Sequence, residues 1–323
     1  MVSHLLPLED PGAAARWEAL RVQSGASDPF TAPAFVRAVA QATGREAHVL
    51  LLTDAGTDEA GVPVYRHRRG PFRMARVPPL VAYTPIVWRR RPDEAALHTR
   101  TSPFEALLAA LENRFDAVAL HLPPDCSDVR PARWRGWRTT PLYTYRLTLQ
   151  AAEDPTGTWS ASARRTFRRF QDTYDLDPDT PDPQPLLDLL VASFARQGRS
   201  LPAPAPLLAG LVATLQTAGL VRTYLLRRRI DGTPEAALAL LHEGSTACYW
   251  LAGSQPGPAM TVLLGLLWRL LPREGLTNFD FYGANTPSIA EFKRRFGPRL
   301  TSYFRIEIVP SVPLRMYYWI RGV

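Results

Sequence analysis

The sequence has few of the residues from which metal sites and disulfide scaffolds are built. Its 323 residues include two cysteines, Cys126 and Cys248, which lie far apart and lack metal-ligand spacing. The six histidines are scattered, and no two of them form a ligand-like pair. These absences argue against a zinc site and a disulfide framework. We therefore expect no metal and no permanently bound cofactor, and a protein of a reducing, cytoplasmic compartment.

Long hydrophobic runs are absent as well. The longest, residues 259–271, spans about 13 residues and contains Arg269, whereas a membrane-spanning helix needs about 20. The opening residues turn acidic and proline-bearing after a few apolar positions, which is unlike a secretory signal. We expect no transmembrane segment, and we interpret residues 259–271 as a buried helix.

Several catalytic motifs are also missing. The chain has no glycine-rich phosphate loop ending in Gly-Lys, no GxGxxG after a strand, no HExxH and no GxSxG. These absences disfavour a Rossmann dehydrogenase, a metalloenzyme and an α/β-hydrolase.

Lysine is the scarcest charged residue. Of 38 basic side chains, Lys293 is the one lysine and the other 37 are arginines, and the formal net charge is +8. The arginine excess and the 31 prolines indicate a compositional bias of the source genome. The charge permits a phosphate-bearing partner such as tRNA without demonstrating one, and we expect no DNA partner.

What the sequence does contain is a coarse repeat in the order of its predicted elements. The best linker, residues 151–157, divides the chain into domains of residues 1–152 and 153–323. Segments with the apolar spacing of helices and strands alternate in the first domain. Its predicted helices are 33–42 and 102–114, its predicted strands are 48–53, 62–67, 116–122 and 143–149, and the proline-rich segment 71–92 is predicted to be irregular.

The second domain shows clearer patterns. Its predicted helices are 159–171, 185–196, 204–218, 258–271 and 287–296, and its predicted strands are 221–230, 235–242, 246–251, 278–282 and 303–309. DGT and EGS turns are hairpin signals between the first three of these strands. Hairpins followed by a β-α-β-α-β tail predict an α/β fold with a mixed sheet and helices on its faces.

The most informative segment is residues 278–297, which read NFDFYGANTPSIAEFKRRFG. On the predicted strand, Phe279 and Phe281 face one way, and Asp280 and Tyr282 face the other. On the helix that follows, Lys293 falls on the flank of an apolar stripe, near the buried side.

The pattern FDFYG…EFKRRFG resembles the C-terminal motif of FemAB-type and CelD-like acyltransferases of the GNAT superfamily. Upstream, SARRTFRRF is similar to the basic helix that opens the second domain of that group, and FARQGRSLP is similar to its Arg-Gln-Gly stretch. The similarity covers residues 155–305. It implies tandem GNAT-like folds, the first one degenerate, with strands 246–251 and 278–282 adjacent and parallel at the donor slot of the second.

The resemblance also implies a reaction, the transfer of an acyl or aminoacyl group from a thioester or ester donor to an amine. The donor would be acyl-CoA, as in ordinary GNAT enzymes, or aminoacyl-tRNA, as in Fem ligases. The acceptor would be a small molecule or a precursor of the cell envelope or a polysaccharide. Two alternatives stay open. One is an aminoacyl-tRNA-dependent, Fem-type peptidyl ligase, although the long helical-hairpin insertion that Fem ligases often carry is absent from the sequence. The other is a catalytically silent GNAT-fold binding protein.

Four residues are the catalytic candidates. The resemblance places Lys293 at the reacting centre, where a compact ammonium could stabilise an oxyanion better than arginine does; the alternative is a surface lysine that escaped the bias. Asp280 could act as a base or orient Lys293, or it could pair structurally. Tyr249 and Tyr282 could protonate a leaving group, or they could pack in strands.

The binding candidates lie in three segments. The turn into helix 258–271 could present free N–H groups to a donor phosphate through Gly257, Ala259, Met260 and Thr261, although the Gly-rich consensus of GNAT enzymes is absent; the alternative is an ordinary turn.

Two further pairs come from arginine-bearing helices. Arg164 and Arg165 belong to a helix face that could bind phosphate or could be a solvated basic surface. Arg196 and Gln197 could contact the acceptor. The C-terminal residues 315–321 mix aromatic residues with arginines, and they could rest on a membrane surface, pack on their domain or pair with a second copy.

Overall fold

A computed structural model describes residues 1–90, 102–150 and 154–321. The chain forms two compact units, of which the first joins Met1–Leu142 to Ser302–Val323 and the second is Tyr143–Thr301. The predicted linker at 151–157 and the predicted domain boundary at 152–153 fall partly on residues 151–153, which lie outside the described residues.

The described residues form strands and helices in both units. The strands are β1 Val2–Pro7, β2 Glu46–Asp54, β3 Thr57–Arg69, β4 Phe72–Arg76, β5 Val87–Trp88, β6 Ala117–Leu122, β7 Arg138–Thr148, β8 Tyr174–Asp177, β9 Val221–Arg228, β10 Pro234–Glu243, β11 Thr246–Ser254, β12 Asn278–Asp280 and β13 Arg299–Ile308. The helices are α1 Pro11–Ser24, α2 Pro33–Ala42, α3 Pro103–Arg114, α4 Arg130–Trp134, α5 Ala161–Phe170, α6 Gln184–Arg196, α7 Ala205–Thr217, α8 Ala259–Leu270, α9 Pro287–Arg294 and α10 Val312–Arg321.

The strands of the two units pair in the same pattern. The first unit has the order β1-β2-β3-β4-β6-β13, with β5 paired to β3, and the second has the order β8-β9-β10-β11-β12-β7. In each unit, three antiparallel pairings are followed by one parallel pairing and one antiparallel pairing. The coarse repeat that the sequence predicts is therefore a repeat of sheet topology.

The helices repeat in the same way. Two helices separate the two strands that come first in each sheet order. They are α1 and α2 between β1 and β2, and α6 and α7 between β8 and β9. One further helix, α3 or α8, lies between the two parallel strands, because a parallel pair needs a crossover that returns the chain to the same end of the sheet. The predicted buried helix at 258–271 is α8, and most of its residues are buried. The fold is thus the predicted mixed α/β one.

Some elements differ from the sequence-based prediction. β1, α1, α4, β8 and α10 are not predicted from the sequence, and the segment 71–92, predicted to be irregular, contains β4 and β5 in its described part. Both strands are short and lie among prolines, which cannot donate to a ladder and so cut the alternating pattern to a few residues.

An aromatic cluster fixes α8 beneath β12 and α9. Gly265 of α8 lies so close to α5 that a Cβ there would come within 2.3 Å of the Phe167 ring. One turn further along α8, Trp268 packs edge-on against Phe279 and Phe281, both with ring centroids 6.2 Å away, and against Phe296 at 5.6 Å. These contacts fix residues 278–297, which carry three of the four predicted catalytic residues, against α8.

Candidate active site

The two strands that carry the predicted catalytic residues are parallel neighbours, as predicted. Their ladder begins with Thr246 of β11 opposite Asn278 of β12 and ends with Cys248 opposite Asp280. β11 then continues to Ser254, whereas the chain after Asp280 stays hydrogen-bonded to β7. The parallel ladder therefore ends at the position where the family resemblance implies the donor slot.

The chain turns sharply after β12. Tyr282 takes a left-handed conformation with a φ of 59°, and Gly283 follows with a φ of 85°. The left-handed conformation costs a residue with a Cβ about 1–2 kcal/mol, so other contacts must hold Tyr282 in place. Two buried charged side chains, Asp280 and Lys293, supply these contacts.

Asp280 holds the amide side of this turn. Its buried Oδ1 accepts hydrogen bonds from the Tyr282 N–H at 2.9 Å and from Thr144 Oγ1 at 2.6 Å, and its Oδ2 accepts one from Arg146 Nε at 2.7 Å. Thr144 Oγ1 in turn accepts a hydrogen bond from the Gly283 N–H at 3.0 Å. These contacts give Asp280 a structural pairing, since a buried carboxylate without partners would be costly. Its role as a base stays a prediction.

Thr144 and Arg146 were not among the predicted site residues. They lie two residues apart on β7, so both side chains face the same way, and Arg146 stands opposite Asp280 in the antiparallel ladder. The alternating pattern of β7 is visible in the sequence. Its pairing with β12 joins residues 134 positions apart, and the local pattern contains no signal for that partner.

Lys293 holds the carbonyl side of the same turn. Its Nζ donates to the carbonyl oxygens of Phe281 at 2.6 Å, Gly283 at 2.8 Å and Tyr282 at 3.3 Å. Nζ also lies 5.2 Å from the centre of the Tyr249 ring, within the range of a cation–π interaction. Lys293 is buried on the flank of α9, as the apolar stripe of the sequence predicts. The turn thus offers one acceptor to each of the three ammonium hydrogens.

The environment of Lys293 favours loss of a proton from the ammonium group. Burial lowers the pKa of Lys293 from 10.5 to about 8, although the nearby Asp280 carboxylate raises it. The side chain is therefore mostly a cation at neutral pH. A substrate oxygen could replace the Tyr282 carbonyl, which makes the longest of the three contacts. The assignment of Lys293 as the group that stabilises an oxyanion stays a prediction.

The two predicted tyrosines flank these charges. Burial raises the pKa of the Tyr249 hydroxyl above its usual range, so the group remains a proton donor at neutral pH. The Tyr249 ring lies 6.0 Å from the Phe281 ring, and Tyr282 forms the centre of the turn that Asp280 and Lys293 hold. The structure therefore brings the four catalytic candidates together at the end of the parallel ladder.

The predicted donor-binding residues lie at the start of α8. Gly257 has a φ of 133°, which favours glycine, and the N-cap residue Pro258 makes no side-chain capping bond. The N–H groups of Ala259, Met260 and Thr261 precede the first intrahelical bond, so they are the groups that could meet phosphate oxygens.

Arg196 is held at the end of β11, close to this turn. Its guanidinium donates to the carbonyl of Ser254 and to Ser193 Oγ, the latter at 3.0 Å. Ser193 Oγ also accepts a hydrogen bond from the Ser254 N–H at 3.0 Å. These bonds fix α6 to the end of β11 and keep an exposed guanidinium near the turn that leads to α8. Gln197 is the exposed residue that follows Arg196 and caps α6.

Arg164 and Arg165 are not joined to either cluster. Both lie on α5, where Arg165 is exposed and Arg164 donates to the Trp159 carbonyl at 3.3 Å. Within the described residues, no hydrogen bond or ion pair connects them to the catalytic candidates or to the start of α8. Phosphate binding and a solvated basic surface both stay open for this face.

In the ranges 1–90, 102–150 and 154–321, no three or more histidine, cysteine, aspartate or glutamate side chains form a group that could hold a metal ion. Over the same ranges, no helix has both the length and the apolar character required to cross a membrane.

A family model covers the segment that contains the site. Residues 160–294 match the model described as an acetyltransferase (GNAT) domain. The matched segment runs from α5 to α9 and includes all four catalytic candidates. No curated protein matches the chain in sequence.

Solved structures share the fold over nearly the whole chain. FemX superposes with a TM-score of 0.74 at 10% identity, covering 98% of this chain and 99% of FemX. L-PGS from Bacillus licheniformis has a TM-score of 0.58 at 14% identity and covers 97% of this chain and 96% of its own. A tandem GNAT protein from the clavulanic acid biosynthesis pathway has a TM-score of 0.57 at 13% identity, with 96% and 99% covered.

At these identities the solved structures establish the fold, and the family model adds the class of domain. Together they confirm the predicted resemblance to FemAB-type acyltransferases, the tandem GNAT-like fold and the acyltransferase class. Residues 160–294 therefore match the acetyltransferase (GNAT) domain model, and the chain shares its fold with FemX.

Proposed function

We propose that the protein transfers an acyl group from acyl-CoA to the amine of a small molecule or an envelope precursor. The observation that carries the proposal is the convergence of four catalytic candidates at the end of the β11–β12 ladder, inside the GNAT domain. Burial lowers the pKa of Lys293 and raises that of Tyr249, and titratable groups with shifted pKa values that gather at one place are typical of functional sites. The convergence favours an enzyme over a catalytically silent binding protein.

The donor would lie along β11. Its phosphates would meet the N–H groups at the start of α8 and the guanidinium of Arg196, since free N–H groups and arginine are both strong partners of phosphate. The stretch of β11 from Tyr249 to Ser254 spans about 16 Å at the rise of a strand. An extended thioester arm could follow it and bring its carbonyl to the cluster around Lys293.

The reaction then needs positioning and charge stabilisation. The acceptor nitrogen attacks the thioester carbon, the C–N bond forms, and the C–S bond breaks to release the thiol of CoA. The Lys293 ammonium stabilises the negative charge that develops on the carbonyl oxygen. The protonated hydroxyl of Tyr249 or Tyr282 supplies a proton to the leaving sulfur, and the amine loses one to solvent. Asp280 keeps the turn and its groups in place.

An envelope or polysaccharide precursor as acceptor is inferred from the FemAB-type resemblance. A cytoplasmic location suits a sequence with two widely separated cysteines, Cys126 and Cys248, and no metal-ligand spacing between them.

Thermal-shift titration of the full chain with CoA, acetyl-CoA and longer acyl-CoAs tests the donor, with an aminoacyl-tRNA in a parallel series. We expect a CoA species to raise the melting temperature. Arg196→Gln should weaken its affinity about tenfold, the effect of losing one charge-assisted contact of roughly 1.4 kcal/mol. The matched control Arg199→Gln removes another exposed arginine, three residues beyond the end of α6, and should leave the affinity unchanged.

The other outcomes decide between the alternatives. Stabilisation by aminoacyl-tRNA without any response to CoA species would replace acyl-CoA with aminoacyl-tRNA as the donor. No response to either would favour the silent binding protein.

A further inference from the structure

A basic cavity in the first unit takes no part in the proposed transfer. Its volume is about 720 Å³, and it lies among β3, β4, β7, β13 and α10. The lining includes six arginines: Arg69, Arg76, Arg135, Arg138, Arg305 and Arg315. Among the described residues that line it, the one carboxylate is Glu307.

The carboxylates do not balance these arginines. Arg138 and Arg305 share Glu307, and the contact between Arg305 and Glu307 measures 2.5 Å. In the described part of the chain, Arg69 and Arg315 have no carboxylate partner at all. The cavity therefore carries an excess of positive charge.

Two of the remaining arginines show how the cavity is built. Arg135 is paired with Glu112 at 2.6 Å and with Glu105 at 3.2 Å. Arg76 donates to the hydroxyl of Tyr318 at 2.9 Å, which connects β4 to α10.

The Nε of Arg305 is buried and has no hydrogen-bond partner within the described residues. Guanidinium groups with donors to spare are suited to the oxygens of a phosphate.

α10 borders this cavity and carries an exposed apolar stripe. Arg315 and Tyr318 face the cavity, and the buried Leu314 packs against Met74 and Ala117. The spacing i, i+4, i+7 and i+8 puts four further apolar residues on one face. They are exposed to 55% at Val312, 59% at Met316, 85% at Trp319 and 73% at Ile320.

The charge and the stripe are adjacent. Arg315 and Trp319 are i, i+4 neighbours on α10, so the arginine at the rim of the cavity lies beside the most exposed residue of the stripe. Exposed tryptophan next to arginine on a helix is typical of surfaces that lie in the interface of a membrane.

We propose that this surface binds an anionic phospholipid membrane. Lipid phosphates would occupy the arginine cavity, while the stripe of Val312, Met316, Trp319 and Ile320 enters the boundary between headgroups and acyl chains. A second copy of the chain is a poorer occupant, because a two-fold interface would bring the same excess of arginines face to face. A free phosphate would fill the cavity but leave the stripe in water.

Flotation of the full chain with vesicles tests this surface. The vesicles contain phosphatidylcholine alone, or phosphatidylcholine with about one third phosphatidylglycerol. We expect binding to the anionic vesicles only, and weaker binding in raised salt because surface charges are screened. Arg315→Gln should lower the partition coefficient about fivefold, the effect of one basic residue near an anionic surface. The double variant Trp319→Ser with Ile320→Ser should lower it at least about tenfold.

Matched controls test whether the effect belongs to this surface. Ile230 is 87% exposed on a turn of the second unit, and Arg133 is an exposed arginine of α4. Ile230→Ser and Arg133→Gln should leave vesicle binding unchanged. Circular dichroism should show that all these variants fold like the parent, since every changed side chain is exposed.

Several results would overturn the proposal. They are equal binding to neutral vesicles, no binding to anionic ones, and binding that survives both the Arg315 and the Trp319–Ile320 variants. Stabilisation by inorganic phosphate without vesicle binding would assign the cavity to a free anion. A dimer in light scattering that the Trp319–Ile320 variant dissociates, without vesicle binding, would assign the stripe to a second copy.

Discussion

Arg146 of β7 stands directly opposite Asp280 of β12, and its Nε donates to Asp280 Oδ2 at 2.7 Å. The side chain of Asp280 is 2% exposed and that of Arg146 is 40% exposed, so the carboxylate is the buried partner. On the other side of the same turn, the Lys293 ammonium binds the carbonyl of Phe281. One turn is thus held by a buried anion at the N–H of Tyr282 and by a buried cation at its carbonyls.

Asp280→Asn should destabilise the protein. The substitution removes the charge that faces Arg146 and presents an N–H₂ group to a guanidinium that also donates. We expect the free energy of unfolding to fall by about 2 kcal/mol, the loss of a buried hydrogen bond to a charged group. Chemical denaturation measures this change.

Asp175→Asn provides a matched control for that variant. Asp175 also pairs with an arginine, Arg229, but both side chains are more than half exposed. Its loss should hardly change the free energy of unfolding, because solvent screens an exposed ion pair. If Asp280→Asn kept the parent stability and lost transfer activity, Asp280 would be a catalytic base rather than a structural anchor.

Gly253→Ala should disturb the packing of α6 on β11. A Cβ at Gly253 would lie 2.3 Å from the carbonyl carbon of Leu189 and 2.4 Å from the N atom of Leu190, and both are backbone atoms that cannot turn aside. We expect a loss of about 1–3 kcal/mol in the free energy of unfolding, as for overpacking in a core.

Gly210→Ala is the control for Gly253→Ala, because a Cβ there meets no atom within 4 Å and the residue lies inside α7. It should stabilise the protein by about 0.5–1 kcal/mol. Equal melting temperatures of the two variants would show that α6 can move away from β11.

Local pattern was enough to predict most elements of the second unit. α8, α9 and the parallel neighbours β11 and β12 follow from apolar spacing, turn residues and the family resemblance. Lys293 was correctly placed on the buried flank of its helix by the stripe beside it. These features depend on residues close in the chain.

Long-range pairing could not be predicted in this way. Thr144 and Arg146 meet Asp280 only because β7 lies beside β12, and nothing in the alternation of β7 identifies its neighbour. The three carbonyl partners of Lys293 depend on the left-handed conformation of Tyr282, which a sequence with tyrosine at that position does not predict. β8 was missed because four residues are too few to show a period.

The buried Lys293 should make stability depend on pH. Burial lowers its pKa from 10.5 to about 8. Between these values the unfolded state binds more protons than the folded state, so the free energy of unfolding from this group rises with pH. The gain is about 3 kcal/mol, from about 1.4 kcal/mol for each pKa unit.

Denaturation of the parent and Lys293→Met at several pH values between 7 and about 10 isolates this effect, since other groups titrate alike in both. The difference in unfolding free energy should move in favour of the parent as the pH rises. A difference that stays constant would mean that the three carbonyls hold the pKa of Lys293 near its ordinary value.

Two substitutions of Lys293 separate a catalytic role of this residue from a role in supporting the turn. If its ammonium stabilises the oxyanion, Lys293→Ala should lower the transfer rate by about 10²–10³, the effect of losing one such donor. Lys293→Arg should also impair transfer, because a planar guanidinium cannot donate to three carbonyls grouped around one point. Both rates are measured as release of the CoA thiol, with an amine acceptor and the acyl-CoA that the thermal-shift titration identifies.

Lys293 also supports the turn, so its loss must be compared with a variant that loosens the same turn and keeps the ammonium. Thr144→Val removes the hydroxyl that bonds Asp280 and the Gly283 N–H and leaves Lys293 unchanged. If Lys293 only supports the turn, Lys293→Ala and Thr144→Val should lose activity in proportion to their loss of melting temperature. If Lys293 is catalytic, the transfer rate of Lys293→Ala should be at least about tenfold lower than its loss of melting temperature alone would give. Full activity in Lys293→Arg would reduce the residue to a general cation, and full activity in Lys293→Ala would remove it from the mechanism.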